Sequence, residues 1–554
     1  MDRPRSALAH RSRRLIAAAG AAAILLSGCT PSPDPGPSPD GTTGPQATFT
    51  FGTPAPPMGL DPALSSDLET YRVTRQIMEG LLTVDATTGK PAPSLATDWK
   101  TAGDGLSYDF TLRQGVTFQD GTPFNAEAVC ANFKRWYTLP VALRKGNGAT
   151  FGAIFRAYSD QPASSIYRGC TADDAQHVRI DLSEPFSGFL QALTMPSLAI
   201  SSPKALAAQK ANDLSTSKDG VSVSAYALHP VGTGPFSFTS WADNRVTLTS
   251  NPHYWGDRGQ IKTVNFVVLS HPEVRREALE KGEIDAYDNI TVDTMEALVK
   301  KGEQVVQRDP FSVMYLGINQ SVAPLNNPKI RQAIEYAIDK NAIVKRFYLD
   351  GTGTASQFVP PRLAGFNNKA PSLGYDPNKA KDLLKQAGYN GKAIPFYYPV
   401  DVTRAYLPAP EKIYAEIARQ LTAVGFVIKP VPVPWTDGYA QKITSPGNHG
   451  LHLFGWNGSY ADADNFLSPL FGSQRSEFGF SDPELFKQIA QARTLPDGDQ
   501  RSQLYTSINE RIAKDLPALP IAYPISALAM SDRVISYPAS PVLNEVFSKV
   551  KLKE

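Results

Sequence analysis

The chain has 554 residues, 42% hydrophobic and 19% charged, with 41 Gly and 46 Pro. That is the profile of a folded protein of two or three domains and excludes fibrous and disordered classes. The formal charge is +2, and setting aside the five arginines and one aspartate that precede Gly28 brings it to about −2, so the electrostatic footprint of a nucleic-acid binder is missing.

Arg3, Arg5, Arg11, Arg13 and Arg14 lead into an apolar run over residues 15–26. The run is too short to cross a bilayer and reads as a secretory signal. Leu26-Ser27-Gly28-Cys29 resembles the lipobox of bacterial lipoproteins, which implies cleavage after residue 28 and acylation of Cys29; an ordinary signal peptide is the alternative. Residues 29–47, rich in Pro, Ser, Gly and Asp, cannot build a core and read as a tether. Cys130 and Cys170 then remain in an oxidising compartment, where an even pair reads as a disulfide. Two buried free thiols are the alternative, and neither cysteine has a neighbour at metal-ligand spacing.

Residues 48–51 alternate as a strand, and a Gly/Pro loop follows over 52–62. Val73, Ile77 and Leu81 place a helix over 71–82. Paired strands are expected over 106–118, a helix over 125–136, a strand over 177–182 and a helix over 185–193. Further strands fall at 246–249 and 263–269, with a helix over 272–281 ending at Gly282. Asn327-Pro328 caps a helix that runs to about Phe347. Residues 411–424 form an amphipathic helix through Ile413, Ile417 and Leu421, ended by Gly425. Strands follow at 426–433 and 451–454. Strands interleaved with helices indicate an α/β protein with mixed sheets.

Catalytic patterns are missing: no Gly-x-Ser-x-Gly elbow, no phosphate loop, no His-Glu-x-x-His. Gly232-Thr-Gly234 and Gly351-Thr-Gly353 read as tight turns. His449 and His452 fall three apart on a loop running into a strand and should point to opposite faces, so a shared metal is not expected. Asp462 and Asp464 suit helix capping better than acid/base chemistry. Trp435 and Trp456 lie beside polar loops and suggest a concave apolar pocket with a few polar anchors.

Six motifs in order carry a resemblance: Met78-Glu-Gly-Leu-Leu82 with Pro93-Ser-Leu-Ala-Thr-Asp-Trp99; Phe118-Gln-Asp-Gly-Thr-Pro-Phe-Asn-Ala-Glu-Ala-Val129; Gly232-Thr-Gly-Pro-Phe236 with Asn251-Pro-His-Tyr-Trp-Gly256; Gly282-Glu-Ile-Asp285; Ile330-Arg-Gln-Ala-Ile334; and Gly455-Trp-Asn-Gly-Ser-Tyr-Ala-Asp-Ala-Asp-Asn-Phe466. From about residue 48 onward the chain resembles the extracellular solute-binding proteins of peptide, nickel and oligopeptide ABC importers (solute-binding family 5). The resemblance implies an α/β, two-lobed periplasmic-binding-protein-like clamp of type II, in the large cluster C form. Lobe I would comprise 48–79, 200–312 and 519–554, with a subdomain inserted at 80–199, and lobe II would span 313–518. It further implies a binding protein without catalysis, cofactor or metal, and a monomer held outside the membrane by acylated Cys29. Its partners would be a small peptide or peptide-like ligand and the permease and ATPase subunits of an importer, with no nucleic acid. An oligosaccharide or a nickel- or siderophore-type chelate is the alternative ligand. A secreted hydrolase and a signalling receptor are the readings from other classes.

Two positions bear on the ligand. Arg404-Ala-Tyr406-Leu-Pro408 matches the Arg-x-Tyr-x-Pro of dipeptide-type members, whose Arg meets a carboxylate; a guanidinium fork suits that role, and an exposed loop arginine is the alternative. Where peptide-binding members carry an Asp for the α-amine, this chain has Ser459, which keeps an acceptor but loses the charge. The resemblance therefore leads to a ligand with a carboxylate or other acceptor group but no required free amine, with Tyr406, Trp435 and Trp456 as pocket walls and Asn457 and Ser459 as further ligand-binding residues.

Overall fold

The computed structural model describes residues 47–553 except 66, 86–87, 145–149 and 217–221. Residues 1–46, with the expected signal, Cys29 and nearly all of the tether, lie outside the described residues. No described helix is long and apolar enough to cross a membrane.

Two large mixed sheets organise the fold. The first has seven strands in the order Phe236–Ala242, Arg245–Ser250, Ile261–Val268, Ala47–Thr53, Ala286–Asp288, Ser526–Met530 and Gln304–Arg308. Ala47–Thr53 runs parallel to both of its neighbours. This sheet therefore gathers the start, the middle and the end of the chain. The second has six strands, in the order Gly353–Thr354, Ala518–Tyr523, Ser312–Ile318, Leu451–Asn457, Ile394–Val400 and Ile428–Pro434. Every residue of Ser312–Ile318 is buried, as a central strand covered on both faces must be. Met314, Leu316 and Ile318 enter one core, and Val313 and Tyr315 enter the other, the period-two alternation of a strand.

The chain passes between the sheets at residues 309–311 and again at 524–525. Ala518–Tyr523 belongs to the second sheet through its pairing with Ser312–Ile318, so the return lies later than the expected boundary at 518/519. Between the early strands sits a separate antiparallel sheet of four, Ala96–Thr101, Ser107–Leu112, His177–Leu182 and Tyr167–Ala172, over its own core. Cys130 and Cys170 are joined there, Cα atoms 5.3 Å apart, tying the helix Ala126–Tyr137 to the strand Tyr167–Ala172.

Several elements depart from the sequence reading for tertiary reasons. The helix expected over 71–82 is Leu68–Ile77, capped by the Asp67 carboxylate. It stops because the Ile77 carbonyl accepts from Gly234 N (2.8 Å) and Gln119 Nε2 (2.9 Å). Gly232 and Gly234 serve that approach rather than a turn: a Cβ at Gly232 would lie 2.4 Å from Ile77 O, and one at Gly234 2.7 Å from Gln76 O. The helix expected from Pro328 to Phe347 is two, Pro328–Ala337 and Lys340–Phe347, because Asp339 caps the second and donates its own N–H to Gln420 Oε1 at 2.8 Å. Of the helix expected over 185–193 only Phe189–Ala192 forms, and of the strands over 106–118 only Ser107–Leu112.

Candidate functional site

Arg404 lies in the loop between the strand Ile394–Val400 and the helix Pro410–Ala423. Its backbone closes a bridge with Leu407 (3.1 and 3.0 Å), and its guanidinium sits 3.9 Å over the ring of Trp435. The geometry is that of a cation–π contact. The stack fixes the fork while leaving Nε buried without a hydrogen-bond partner. Trp435 follows the strand Ile428–Pro434 and is backed by Phe454, ring centroids 6.3 Å apart.

Tyr406 is 5% exposed and belongs to the core more than to a pocket wall. Its ring meets Phe454 edge-on at 5.9 Å and covers Gly455, where a Cβ would come 2.3 Å from Tyr406 Cδ2. This explains the glycine in the Gly-Trp pair. Burial pushes the Tyr406 hydroxyl up to about 12, so it stays a neutral donor.

Trp456 and Asn457 end the strand Leu451–Asn457, with Trp456 on the same face as Phe454. Its indole Nε1 is buried and unpartnered. Ser459, in the following turn, donates its backbone N–H to Asn465 Oδ1 at 2.7 Å. The structure thus brings Arg404 and Trp435 into contact, joins Tyr406 to them through Phe454, and sets Trp456, Asn457 and Ser459 along the adjoining strand end.

Sequence reasoning passed over the opposing surface. Arg404's charge acts on two carboxylates, Asp67 and Glu69, at the start of the helix Leu68–Ile77. That helix packs on the first sheet and with it forms the first body, as the second sheet and its helices form the second. Both carboxyl groups are raised by burial; hydrogen bonds from Thr70 and then Arg404 offset this for Asp67, and Arg72 does so for Glu69. Asp67 Oδ1 accepts from Thr70 N (2.9 Å), while Oδ2 has no partner. Beside them runs a buried charge chain: Arg72 meets Glu69 (3.2 Å) and Asp288 (2.6 Å), and Arg308 holds Glu545 (2.6 and 2.8 Å). Tyr71 is pushed up to about 12 and Arg75 down to about 10, both by burial. The available signal was the polar spacing Asp67, Tyr71, Arg75 on a helix judged only by its apolar residues.

The two histidines do not point apart. His449 precedes the strand, and its ring lies 5.4 Å from that of His452. Both are engaged by Glu477: His449 Nε2 donates to its carbonyl (3.0 Å) and His452 Nε2 to Oε1 (3.2 Å), which also accepts from Tyr315 (2.7 Å). Among the described residues no group of three His, Cys, Asp or Glu could hold a metal. Asp462 does help open the helix Asp464–Phe471, accepting from Asp464 N at 2.7 Å. It also takes a two-pronged contact from Arg501 (2.8 and 2.9 Å).

Residues 90–478 match the family described as bacterial extracellular solute-binding proteins, family 5 Middle. The chain is 29% identical to heme-binding protein A of Haemophilus influenzae over 91% of this chain and 92% of that one. It is 28% identical to the dipeptide-binding protein of Escherichia coli, over 91% and 95%. Among solved structures it superposes on the periplasmic binding protein DppA of Helicobacter pylori in complex with the peptide STSA, with TM-score 0.80, 28% identity and coverage of 92% and 98%. With the family model spanning most of its length, the chain belongs to the family 5 bacterial extracellular solute-binding proteins, two-lobed clamps that bind solutes for transport and are not enzymes.

Proposed function

We propose that this protein is the lipid-anchored receptor of an ABC importer that captures peptides or peptide-like solutes by closure of its lobes and passes them to a membrane permease. The observation that carries the ligand class is Arg404, a guanidinium stacked on Trp435 with a buried, unpartnered Nε. A preoriented fork with an unused donor suits a carboxylate, and the relatives named for dipeptides and for the bound peptide STSA favour a peptide as its owner. Leu26-Ser27-Gly28-Cys29 supports acylation at Cys29, which would hold the receptor as a monomer at the outer face of the cell membrane. Lobe I is assigned to residues 48–79, 200–308 and 526–554 with the insertion at 80–199, and lobe II to 312–523, between the two crossings.

Mass spectrometry of ligand released from the protein purified out of its native host is expected to find peptides with a free carboxyl terminus. Arg404→Ala should weaken their binding by about 10- to 100-fold, the loss of a charged hydrogen bond. Release of a sugar or metal chelate instead, with Arg404→Ala binding peptides as the parent does, would overturn the assignment.

A further inference from the structure

Asp67, Tyr71 and Arg75 are spaced four apart along the Leu68–Ile77 helix and its cap, so they stack on one face. Asp67 and Tyr71 each end in an unsatisfied polar atom. Asp67 Oδ2 and Tyr71 Oη are buried without hydrogen-bond partners, as is the neighbouring Glu69 Oε1. On the second body Arg404 Nε and Trp456 Nε1 are orphaned in the same way. Buried polar atoms in folded proteins are nearly always partnered, and Asp67 and Arg404, near enough for the charge of one to act on the other, each leave one such atom open.

The first body offers chiefly oxygen acceptors, and the second offers N–H donors. Glu69 is already neutralised by Arg72 at 3.2 Å. Asp67 makes no ion pair among the described residues. It spends one oxygen on capping the helix, while Arg404 acts on its charge without contacting it. Asp67 is therefore the carboxylate with charge left to give.

Resting on the peptide reading above, we propose that Asp67 receives the ligand's ammonium group while Arg404 receives its carboxylate, so that the two ends of a zwitterionic solute are held by different lobes. Ser459 lacks the charge to hold an amine from the second lobe, and Asp67 supplies it from the first. This proposal departs from the expectation, drawn from Arg404 and Ser459, of a ligand with no required free amine. A solute bridging both lobes also gives closure its driving force, because only the closed form lets one molecule meet both charges.

The test uses the mature chain, a mixture of dipeptides and the same mixture after N-acetylation, with retention read by native mass spectrometry. The parent protein should retain free dipeptides at least about tenfold better than acetylated ones, a charged contact's worth. Asp67→Asn and Asp67→Ser both keep a capping oxygen, and either should reduce that preference to about twofold or less while leaving acetylated peptides bound as before. Equal retention of both mixtures by the parent would overturn the proposal while leaving the peptide reading intact. So would an undiminished preference in a variant whose thermal midpoint shows it folded. Retention of neither mixture would remove the peptide reading, and this proposal with it.

Discussion

Arg493 is the side chain on which closure should depend most. It ends the helix Pro483–Thr494 of the second body and reaches into the inserted four-stranded unit. There it donates to the carbonyls of Ala153 and Ile154, in the last turn of the helix Thr150–Phe155. Its guanidinium lies 4.2 Å over the ring of Phe186, and its own carbonyl accepts from Ser187 N at 3.1 Å. A cation on the exposed carbonyls of a helix end is favourable on both hydrogen-bond and dipole grounds. Charged hydrogen bonds contribute ~1.5–3 kcal/mol and a cation over a ring ~0.5–2 kcal/mol. With one of the two bonds long at 3.4 Å, the contact should hold the helix Pro483–Thr494 to the four-stranded unit by roughly 2–4 kcal/mol. Opening that separates that helix from the four-stranded unit must break it. Arg493 also pairs with Asp464 at 3.3 Å, inside its own body, so truncation alone would strand a buried carboxylate. The informative comparison is Arg493→Ala/Asp464→Asn against Asp464→Asn, which removes that cost from both sides. Calorimetry should show affinity at least about 30-fold weaker in the double variant, and small-angle scattering should show a larger radius of gyration with ligand present. Equal affinity and equal radius in the two would refute a latch at this position.

Two further perturbations follow from buried groups. Reducing Cys130–Cys170, or replacing both with serine, frees a loop of 40 residues and should lower stability by about 4 kcal/mol on the chain-entropy estimate, read as an earlier urea midpoint. Glu79 is raised by burial to about 7 even though Trp255, Thr233 and Tyr254 all donate to it. The folded chain thus holds a proton that the unfolded chain releases near pH 4.5, and stability should fall by up to about 3 kcal/mol as pH rises from ~4.5 through ~7. Glu79→Gln should flatten that slope in denaturation measured at pH 5 and 7.5, and a parent already flat would count against the burial argument.

What was legible in the sequence was whatever repeats along a single element. The helix Pro410–Ala423 and the strand His177–Leu182 fall where periodicity places them, because one apolar face settles each. The family motifs carried the clamp, and cysteine parity pointed to the bridge the structure contains. Elements that end because of a distant partner were not legible. The stop after Ile77 depends on Gly234 and Gln119, and the break before Lys340 is reinforced by Gln420. No window of local sequence contains those contacts.

The site divides along the same line. Arg404 and Trp435 were nameable one at a time, but their stacking depends on the Ile428–Pro434 strand lying beside the Ile394–Val400 strand, a pairing of remote segments. Tyr406 was named as a wall, and only the fold shows that its ring is also packed into the core and needs Gly455 bare. Asp67 was harder still. Ahead of a helix it is an ordinary capping residue, and one of its oxygens does cap. Its second role becomes visible only when burial of Oδ2 is seen together with Arg404 acting from a segment more than three hundred positions away. A charge that looks solvated in sequence and is enclosed in the fold must find a counter-charge or be destabilising. A receptor that leaves such a charge unpaired within itself leaves it for the solute.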